Sequence, residues 1–431
     1  MTMKKNIIYF AFAMLTDGTL TTACSSDDEL TPDITEKPVQ QANVTFTTTL
    51  APKDATTTRS INEKGVTAWE KDEKIAVYYE TADGHAVTTA TVTEVNNGVA
   101  TITAVLTNAK NGGEAKFVYP ATLIDETNGN IDASKLSKQH GTIEDISKNF
   151  DAATGSSTLV VSNNTCETKT KITMENQVVI GKFVPKFMGD AIGEIKNLTI
   201  TDGSNTYTVT PESGTFNESG IYVAMLPVDD KEIIITAENA SLKYGYGGKK
   251  ISLAKGRMYN NLAIAMGRYV DLSTKTSNYT ASGARFLTGR LLAHSVTIID
   301  GANVMLYNVT LNSPKNAPAI NCKGSCTITL CGTNTVRADK GTTYPAIYAG
   351  PNDNTLTIKG CGKLEARADK AAVIGAGTST GSCGNICIKG GDITVSKASK
   401  TDYTVGIGVS SYDQDNITCG DITIEGGGYQ Y

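Results

Sequence analysis

Histidine is almost absent from this chain: only His85, His140 and His294 occur among 431 residues, and they lie far apart in sequence. A histidine-based catalytic triad or metal cluster therefore has little support. Clustered Lys and Arg residues are also missing, and the net charge is −5 with a sequence pI near 5.4. This argues against a nucleic-acid partner, because phosphate binding requires a basic face.

Long amphipathic helical stripes are hard to find, and aromatic residues make up only 6% of the chain. Thr, Gly, Asn and Ser instead occur in every segment, a composition that favours β-structure. At 431 residues the chain is long enough for two or three domains with cores of their own. Sugars, protein partners or cations suit such an acidic β-protein, and no cofactor is required.

The N-terminus has no apolar run long enough to cross a bilayer, since the run at residues 7–15 is short and follows Lys4 and Lys5. This pattern is typical of a secretory signal. Residues 20–24, Leu-Thr-Thr-Ala-Cys, resemble a bacterial lipobox, and the acidic residues 25–29 resemble the export tag of Bacteroidota surface lipoproteins. The resemblance implies a signal peptide over residues 1–24, lipidation of Cys24 and a surface-exposed place on the cell outer membrane. Plain secretion with a chance cysteine is the alternative.

The segment after the signal changes from a linker to folded structure near residue 43. Residues 25–42 are polar and contain Pro32 and Pro38, which predicts a flexible tether. From residue 44 onward, short segments alternate polar and apolar residues, as antiparallel strands with one buried face do. A polar region with a helical pattern at residues 132–138 interrupts them. We predict two tandem antiparallel β-sandwich domains, over residues 43–165 and 166–268.

Four stretches in these two segments resemble the fimbrillin-like (Mfa-like) family: residues 69–78, 117–120, 222–227 and 255–259. The match covers residues 43–264 and implies a pilus subunit, or a related surface lipoprotein, built from two β-sandwiches. It also implies proteolytic maturation after Arg59, so that a strand donated by a neighbouring pilus subunit replaces the excised one. An ordinary solvated arginine in a polar loop is the alternative for Arg59.

The last third of the chain repeats short apolar phrases. In one series the second apolar residue recurs after 32, 28, 30 and 36 residues, and in another series after 27, 27 and 33. The first series is Val296-Thr-Ile298, Ile328-Thr-Leu330, Leu356-Thr-Ile358, Ile386-Cys-Ile388 and Ile422-Thr-Ile424. Several short strands in each repeat of about 30 residues are typical of a parallel β-helix, whereas a propeller blade needs about 40. We predict a right-handed parallel β-helix over residues 269–431.

The cysteines and glycines fit this repeat. Eight cysteines follow Cys24, and seven of them lie between Cys322 and Cys419. Because they recur at repeat positions of a large chain, we expect small buried side chains rather than disulfides. Cys322 and Cys326 lack the spacing and the nearby histidines of a usual zinc site. Gly360 is expected at a sharp corner between strands, where a positive φ suits glycine.

A second family resemblance covers residues 270–431. Residues 270–273, 287–289, 296–311, 372–377 and 405–408 resemble the β-helical carbohydrate-binding domains related to polysaccharide lyases. The resemblance implies a polysaccharide ligand. It leaves open whether the polysaccharide is acidic and whether Ca²⁺ assists binding. Because the sequence stops one strand into a coil, we expect either truncation or another element that covers the open end.

One charged motif is repeated within this segment. Arg337 and Asp339 recur 30 residues later as Arg367 and Asp369, which predicts like residues stacked on neighbouring coils. Stacked aspartates repel unless a cation or an adjacent basic side chain offsets them. Two interpretations stay open: a calcium- or uronate-binding site, and a solvated corner in which Arg and Lys compensate Asp. Further candidates for carbohydrate or calcium binding are Asp353, Asp413, Asp415 and Tyr348, the last as a stacking face for a sugar ring.

Together, the residue patterns and these resemblances predict an all-β surface lipoprotein that binds polysaccharide through its C-terminal β-helix without catalysis. It would act as an adhesin or a tip-type pilus subunit, and no catalytic residue is assigned. One alternative is a calcium-dependent polysaccharide lyase that uses the stacked Asp and Arg edge. Another is a purely structural pilus anchor or assembly subunit.

Overall fold

The computed structural model describes residues 43–51, 68–397, 405–410 and 416–430. These residues form an all-β structure, so the fold class predicted from composition is confirmed. Its helical segments are short: Ala121–Leu123, Ala133–Leu136, Ile143–Asp145, Ile146–Phe150 and Leu272–Thr274. Within this part of the chain, no helix has the length and apolar character that crossing a membrane requires.

The N-terminal part of the described chain is dominated by one sheet. This part contains eleven strands: β1 (Asn43–Leu50), β2 (Lys74–Thr81), β3 (Gly84–Asn96), β4 (Val99–Thr107), β5 (Glu114–Tyr119), β6 (Ile124–Asp125), β7 (Asn130–Ile131), β8 (Lys138–Gln139), β9 (Ala153–Ser162), β10 (Thr165–Thr168) and β11 (Glu175–Asn176). Eight of them form a sheet in the order β10-β1-β4-β3-β2-β5-β9-β11, and β10 also pairs with β9. Strand β1 therefore lies between β4, to which it is antiparallel, and β10, to which it is parallel.

Strand β1 shows how the period of two produces this sheet. Its eight residues alternate between exposed and buried positions, so that Val44, Phe46 and Leu50 face the core. Trp69 is buried in the same core, where its indole N–H donates to the carbonyl oxygen of Ala51 at 3.2 Å. The tryptophan thus ties Ala51, directly after β1, to this core.

A second antiparallel part follows. Its strands are β12 (Val179–Phe187), β13 (Asp190–Ala191), β14 (Asn197–Thr201), β15 (Thr206–Val209), β16 (Ile221–Met225), β17 (Val228–Glu232), β18 (Ile234–Glu238), β19 (Lys243–Tyr246), β20 (Lys250–Leu253) and β21 (Met258–Ala265). Their core includes Phe183 and Tyr207, and it also takes in Leu136 and Ile146 from the polar region between the two groups of strands. Because Tyr78 of β2 packs there as well, the two antiparallel parts adjoin.

The remaining strands pair in parallel with their counterparts in the next repeat. They are β22 (Gly267–Asp271), β23 (Tyr279–Ala281), β24 (Ala284–Leu292), β25 (Val296–Ile298), β26 (Asn303–Asn312), β27 (Ile320–Cys322), β28 (Cys326–Cys331), β29 (Thr333–Arg337), β30 (Ile347–Tyr348), β31 (Thr355–Gly360), β32 (Lys363–Ala368), β33 (Ile374–Gly377), β34 (Asn385–Ile388), β35 (Asp392–Lys397), β36 (Ile407–Ser410), β37 (Ile422–Ile424) and β38 (Gly428–Gln430).

These strands form three ladders. The first ladder is β24-β26-β28-β31-β34-β37, and the second is β26-β29-β32-β35-β38, which starts in the C-terminal half of the long strand β26. The third ladder is β23-β25-β27-β30-β33-β36. Apolar side chains fill the space that they enclose, for example Ile328, Ile358 and Ile388, which are paired in register along the first ladder. At the corner between β31 and β32, Gly360 has φ +112°, and a Cβ there would lie 2.3 Å from the carbonyl oxygen of Leu330.

The register of the apolar series differs in part from the prediction. The series through residues 320, 347, 374 and 407 pairs in the third ladder as expected. In the other series Ile328 pairs with Ile358, two residues out of the predicted alignment, and Val296 belongs to the third ladder, where it pairs with Ile320. When one strand slides by two residues along its neighbour, the same side chains still point inward. The alternation of polar and apolar residues therefore cannot reveal such a shift.

The parallel ladders are continuous with the second antiparallel part. Strand β19 pairs antiparallel with β22 through Tyr244 and Arg268, and β22 then pairs in parallel with β24. One sheet therefore runs from β14 and β18 into the first ladder. Ile234, Phe286 and Cys331 form a small buried cluster beside this joint.

Candidate functional site

The candidate site is the solvent-facing side of β29, β32 and β35 in the second ladder, which we call the outer face. Alternate residues of these strands point inward to the core, and the intervening ones point outward. The outward residues are Thr333, Thr335, Arg337, Lys363, Glu365, Arg367, Asp392, Thr394 and Ser396. Hydroxyl and charged groups thus cover an extended surface.

The outward residues form rows across the strands. Arg337 pairs with Arg367, which in turn pairs with Ser396. Both arginines are exposed, and neighbouring strands lie about 4.8 Å apart, so two guanidinium groups share one row. In another row Lys363 forms an exposed ion pair with Asp392 at 3.7 Å, which offsets its charge. The arginine row therefore places two positive charges together on the outer face, and guanidinium groups can bind an anionic group in bidentate fashion.

The two predicted aspartates occupy different environments. Asp369 is only 3% exposed, and its Oδ2 accepts a hydrogen bond from the backbone N–H of Gly341 at 2.6 Å. Asp339 is half-buried, and its backbone N–H donates to Ser313 Oγ at 2.8 Å. The structure thus brings the two arginines together as predicted, while Asp369 turns inward and holds the turn of the preceding repeat.

The remaining acidic candidates do not join this group. Asp353 is exposed in a left-handed turn, with φ +66°, before β31, at another corner of the ladders. The side chain of Asn354 beside it donates to the carbonyl oxygen of Pro351 at 3.2 Å, as a turn-forming amide does. Asp413 and Asp415 lie outside the described residues. Among the residues that the structure does describe, no three His, Cys, Asp or Glu side chains are grouped to hold a metal ion.

Tyr348 does not present its ring to solvent. It is 8% exposed, packs in the core of the ladders, and its hydroxyl donates to the carbonyl oxygen of Ser382 at 3.0 Å. Burial raises the pKa of Tyr348 above its usual value. The prediction that Tyr348 offers a stacking face to a sugar ring is therefore wrong, because a ring within the core cannot contact a ligand.

A large open groove lies elsewhere, beside the first sheet. Its volume is about 920 Å³, and Glu114, Lys116, Lys171 and Glu175 line it. Glu175 forms an exposed ion pair with Lys255 at 3.3 Å. Charges of both signs are mixed along this groove, so it selects no single class of ligand. No pattern in the sequence predicted this groove, because its lining residues are far apart along the chain.

Two other predicted residues, Cys24 and Arg59, lie outside the described part of the chain. Strand β1, which precedes Arg59 in sequence, is described in full. All eight of its residues pair with β4, from Asn43 opposite Thr107 to Leu50 opposite Ala100. The strand that cleavage after Arg59 would separate is therefore an integral part of the first sheet.

The described residues define a class of protein: an all-β chain with stacked parallel strands that carry an extended polar surface. No protein-family model matches the chain, and no curated protein matches it. Solved structures do match. A fimbrial protein from Bacteroides ovatus is 11% identical, over 52% of this chain and 50% of that one, with a TM-score of 0.26. This chain thus spans about half the length of that structure.

Two further solved structures are similar at the same level. A fimbrial assembly protein from Parabacteroides distasonis is 11% identical, over 51% of this chain and 90% of that one, with a TM-score of 0.28. The tip fimbrial protein Mfa3 from Porphyromonas gingivalis, with a C-terminal truncation, is 10% identical, over 48% of this chain and 81% of that one, with a TM-score of 0.22. At these identities and TM-scores the likenesses do not establish a common fold.

Proposed function

We propose that this protein is a cell-surface adhesin of the pilus-subunit type, which binds an acidic polysaccharide along the outer face without cleaving it. The observation that supports this function is the row of Arg337 and Arg367 among outward hydroxyl groups. Carboxylate or sulfate groups of a polysaccharide are natural partners for such a row. Binding energy would then come from many shallow contacts along the strands.

The proposed architecture assigns a role to each part. We take the three parallel ladders as the coils of a right-handed parallel β-helix that forms the binding head. The two antiparallel parts act as tandem β-sandwiches and form the stalk. The continuous sheet through β19 and β22 supports a rigid connection between stalk and head, because a shared sheet resists bending more than a linker does.

The N-terminal segment would attach the protein to the membrane and allow its assembly with other pilus subunits. Lipidation of Cys24 would hold the protein on the outer membrane. Cleavage after Arg59 would leave β1 held in the first sheet only by non-covalent contacts, between β4 and β10. A strand from a neighbouring pilus subunit could then take its place, since it would meet the same backbone hydrogen bonds and the same pockets for alternate side chains.

Binding is favoured over polysaccharide cleavage by the placement of the acidic residues. Asp369, which the lyase hypothesis would place at an exposed calcium-binding edge, is 3% exposed and engaged by the N–H of Gly341. A cation reaches such a carboxylate only after the turn opens. A purely structural role for the protein predicts instead that no glycan is bound, so a glycan-binding experiment distinguishes the two roles.

The test is a glycan array probed with the full chain, with and without Ca²⁺. We expect retention on acidic polysaccharides such as polygalacturonate, and weaker retention at high salt because exposed charges are screened. The Arg337→Ala, Arg367→Ala double variant should lose at least about tenfold in affinity if each lost charge contributes about 1 kcal/mol. The matched control is Lys359→Ala with Lys389→Ala. It removes two exposed charges from the first ladder, one in β31 and one directly after β34, where Lys389 is paired with Glu425 at 3.4 Å.

Three results decide the proposal. Failure of the wild type to bind any polysaccharide under either condition removes the binding function and leaves the structural one. Equal binding by the double variant and the wild type removes the outer face as the site. Formation of unsaturated product from polygalacturonate, followed by its ultraviolet absorbance, would establish the lyase instead.

A further inference from the structure

Two cysteines of successive repeats lie side by side near the last described strands. Cys383 and Cys419 are partners in an isolated parallel β-bridge, and their Sγ atoms are 3.1 Å apart. Both thiols are free in this structure. Cys383 is 1% exposed and lies in the core, whereas Cys419 packs against that core as a half-buried residue.

The backbone fixes this pair from both sides. The N–H of Cys383 donates to the carbonyl oxygen of Thr418 at 2.9 Å, and the N–H of Gly420 donates to the carbonyl oxygen of Cys383 at 3.0 Å. Residues paired on neighbouring parallel strands have Cα atoms about 4.8 Å apart, within the range of about 4.4–6.8 Å that a disulfide requires. Side-chain rotation alone can therefore bring the sulfurs to bonding distance.

We propose that Cys383 and Cys419 form a disulfide that fastens the repeat containing β37 and β38 to the repeat before it. The oxidant is a disulfide compound, and the reaction is thiol–disulfide exchange. The Cys419 thiolate attacks the S–S bond of the oxidant, which releases one thiol and leaves a mixed disulfide. The Cys383 sulfur then attacks Cys419 and displaces the second thiol. Two S–H groups become one S–S bond, and the oxidant takes up the two electrons and two protons as two thiols.

The order of attack follows from the environment of each thiol. Burial raises the pKa of the Cys383 thiol well above its usual value, so this sulfur rarely ionises on its own. Cys419 is more exposed and meets a dissolved oxidant first. Once the mixed disulfide has formed, Cys383 is already beside it and needs no further approach.

The cross-link would stabilise the least protected repeat of the described ladders. Ile422 is 44% exposed and Ile424 is 53% exposed, although their partners Ile386 and Ile388 in the preceding repeat are buried. Few packing contacts therefore hold β37 in place. A disulfide between residues 383 and 419 closes a long loop, and the stabilisation that it gives by restricting the unfolded chain increases with loop length.

Cys387 provides a matched control. It lies in β34 of the first ladder and is half-buried, as Cys419 is. Its partner in β37 is Thr423 rather than a cysteine. Its Sγ lies 3.7 Å from Glu425 Oε1. Substitution of Cys387 removes a thiol from the same region and leaves the proposed cross-link intact.

The experiment uses the full chain, purified under reducing conditions and then equilibrated in its folded state with oxidised and reduced glutathione. Remaining thiols are alkylated before proteolysis and mass mapping. We expect a peptide pair joined through Cys383 and Cys419, lighter by two hydrogen atoms than the separate peptides. Amide hydrogen exchange in β37 should become at least about tenfold slower after oxidation. Cys387→Ser should behave as the wild type, and Cys419→Ser should lose both effects.

Other outcomes overturn the proposal. Recovery of both residues as alkylated thiols, a link from either one to another cysteine, or a glutathione adduct on Cys419 that does not resolve would each contradict it. Should Cys419→Ser fail to fold, the peptide map of the wild type decides alone, because the joined peptide is either found or missing. This test is independent of glycan binding.

Discussion

The carboxylate of Glu232 accepts a hydrogen bond from the backbone N–H of Gly332 at 3.0 Å. Its other oxygen accepts from the N–H of Gly248 at 2.7 Å. Glu232 ends β17 of the second antiparallel part, whereas Gly332 lies between β28 and β29 of the parallel ladders. One half-buried side chain therefore joins two parts of the molecule beside the sheet that they share.

Loss of this carboxylate should weaken the joint. Glu232→Ala leaves two backbone N–H groups without their acceptor, and hydrogen bonds to a charged group contribute about 1.5–3 kcal/mol each. We expect the free energy of unfolding to fall by about 3 kcal/mol, the lower end of the sum for two such bonds, because water can reach the half-buried site and replace part of the lost acceptor. Urea denaturation followed by far-ultraviolet circular dichroism measures this change. Glu232→Gln should lose less, because the amide keeps one acceptor oxygen.

The control for this prediction is Glu238→Ala, which removes an exposed carboxylate from the adjacent strand β18. It should change the free energy of unfolding by less than about 0.5 kcal/mol. Equal stability of Glu232→Ala and Glu238→Ala would show that the carboxylate does not hold the joint.

Close packing at the same joint gives a second prediction. Gly245 of β19 is buried, and a Cβ at this position would lie 2.4 Å from the ring of Phe286. Gly245→Ala must therefore displace the ring or separate β19 from β22, and we expect a loss of about 1–3 kcal/mol in unfolding free energy. Gly193→Ala is the control, since the nearest atom to its Cβ would be Glu218 Oε1 at 3.4 Å. A melting temperature unchanged from the wild type in Gly245→Ala would contradict the packing described.

Much of the fold could be predicted from local patterns in the sequence. The alternation in β1 and the repeat through Ile320, Ile347 and Ile374 both reflect burial of every second residue, which a sequence displays directly. The continuity of the sheet through Tyr244 and Arg268 could not be predicted in this way, because pairing of distant strands leaves no periodic signal.

The candidate site was predictable to a similar extent. The 30-residue interval between Arg337 and Arg367 correctly placed them side by side, since the interval equals one repeat. The same interval gave no information on the inward turn of Asp369, which depends on the turn around Gly341 in the preceding repeat. The burial of Tyr348 also escaped prediction, because tyrosine occurs on surfaces and in cores alike.

A third prediction concerns alkaline pH. Burial raises the pKa of Tyr207 to about 12, and its hydroxyl accepts a hydrogen bond from the N–H of Leu226 at 3.0 Å. An exposed tyrosine in the unfolded chain has a pKa of about 10, so the unfolded state loses this proton first as pH rises. The contribution of Tyr207 to stability is therefore complete below about pH 10 and is lost as pH rises toward 12.

Tyr207→Phe tests this directly. At neutral pH the variant should be less stable by about 1 kcal/mol, because Leu226 loses its acceptor. Between about pH 10 and pH 12 the variant should lose less stability than the wild type, so the two denaturation midpoints approach each other. Tyr259→Phe serves as control for the neutral-pH cost, since its hydroxyl also accepts a backbone N–H, that of Ala254, at 3.1 Å. A constant difference between Tyr207→Phe and wild type at all pH values would contradict the prediction.

The last prediction separates a structural from a ligand-binding role for the repeated aspartates. Asp369 is buried and accepts the N–H of Gly341, so Asp369→Ala should lower the free energy of unfolding by about 1–3 kcal/mol without any ligand. Asp339→Ala is the matched control at the equivalent position of the preceding repeat, where the side chain is half-buried, and we expect a smaller loss. Thermal melts of both variants and the wild type, with and without Ca²⁺, measure the difference. A ligand that binds only the folded state raises the melting temperature, so a calcium-dependent rise that Asp369→Ala abolishes would assign the residue to a cation site instead.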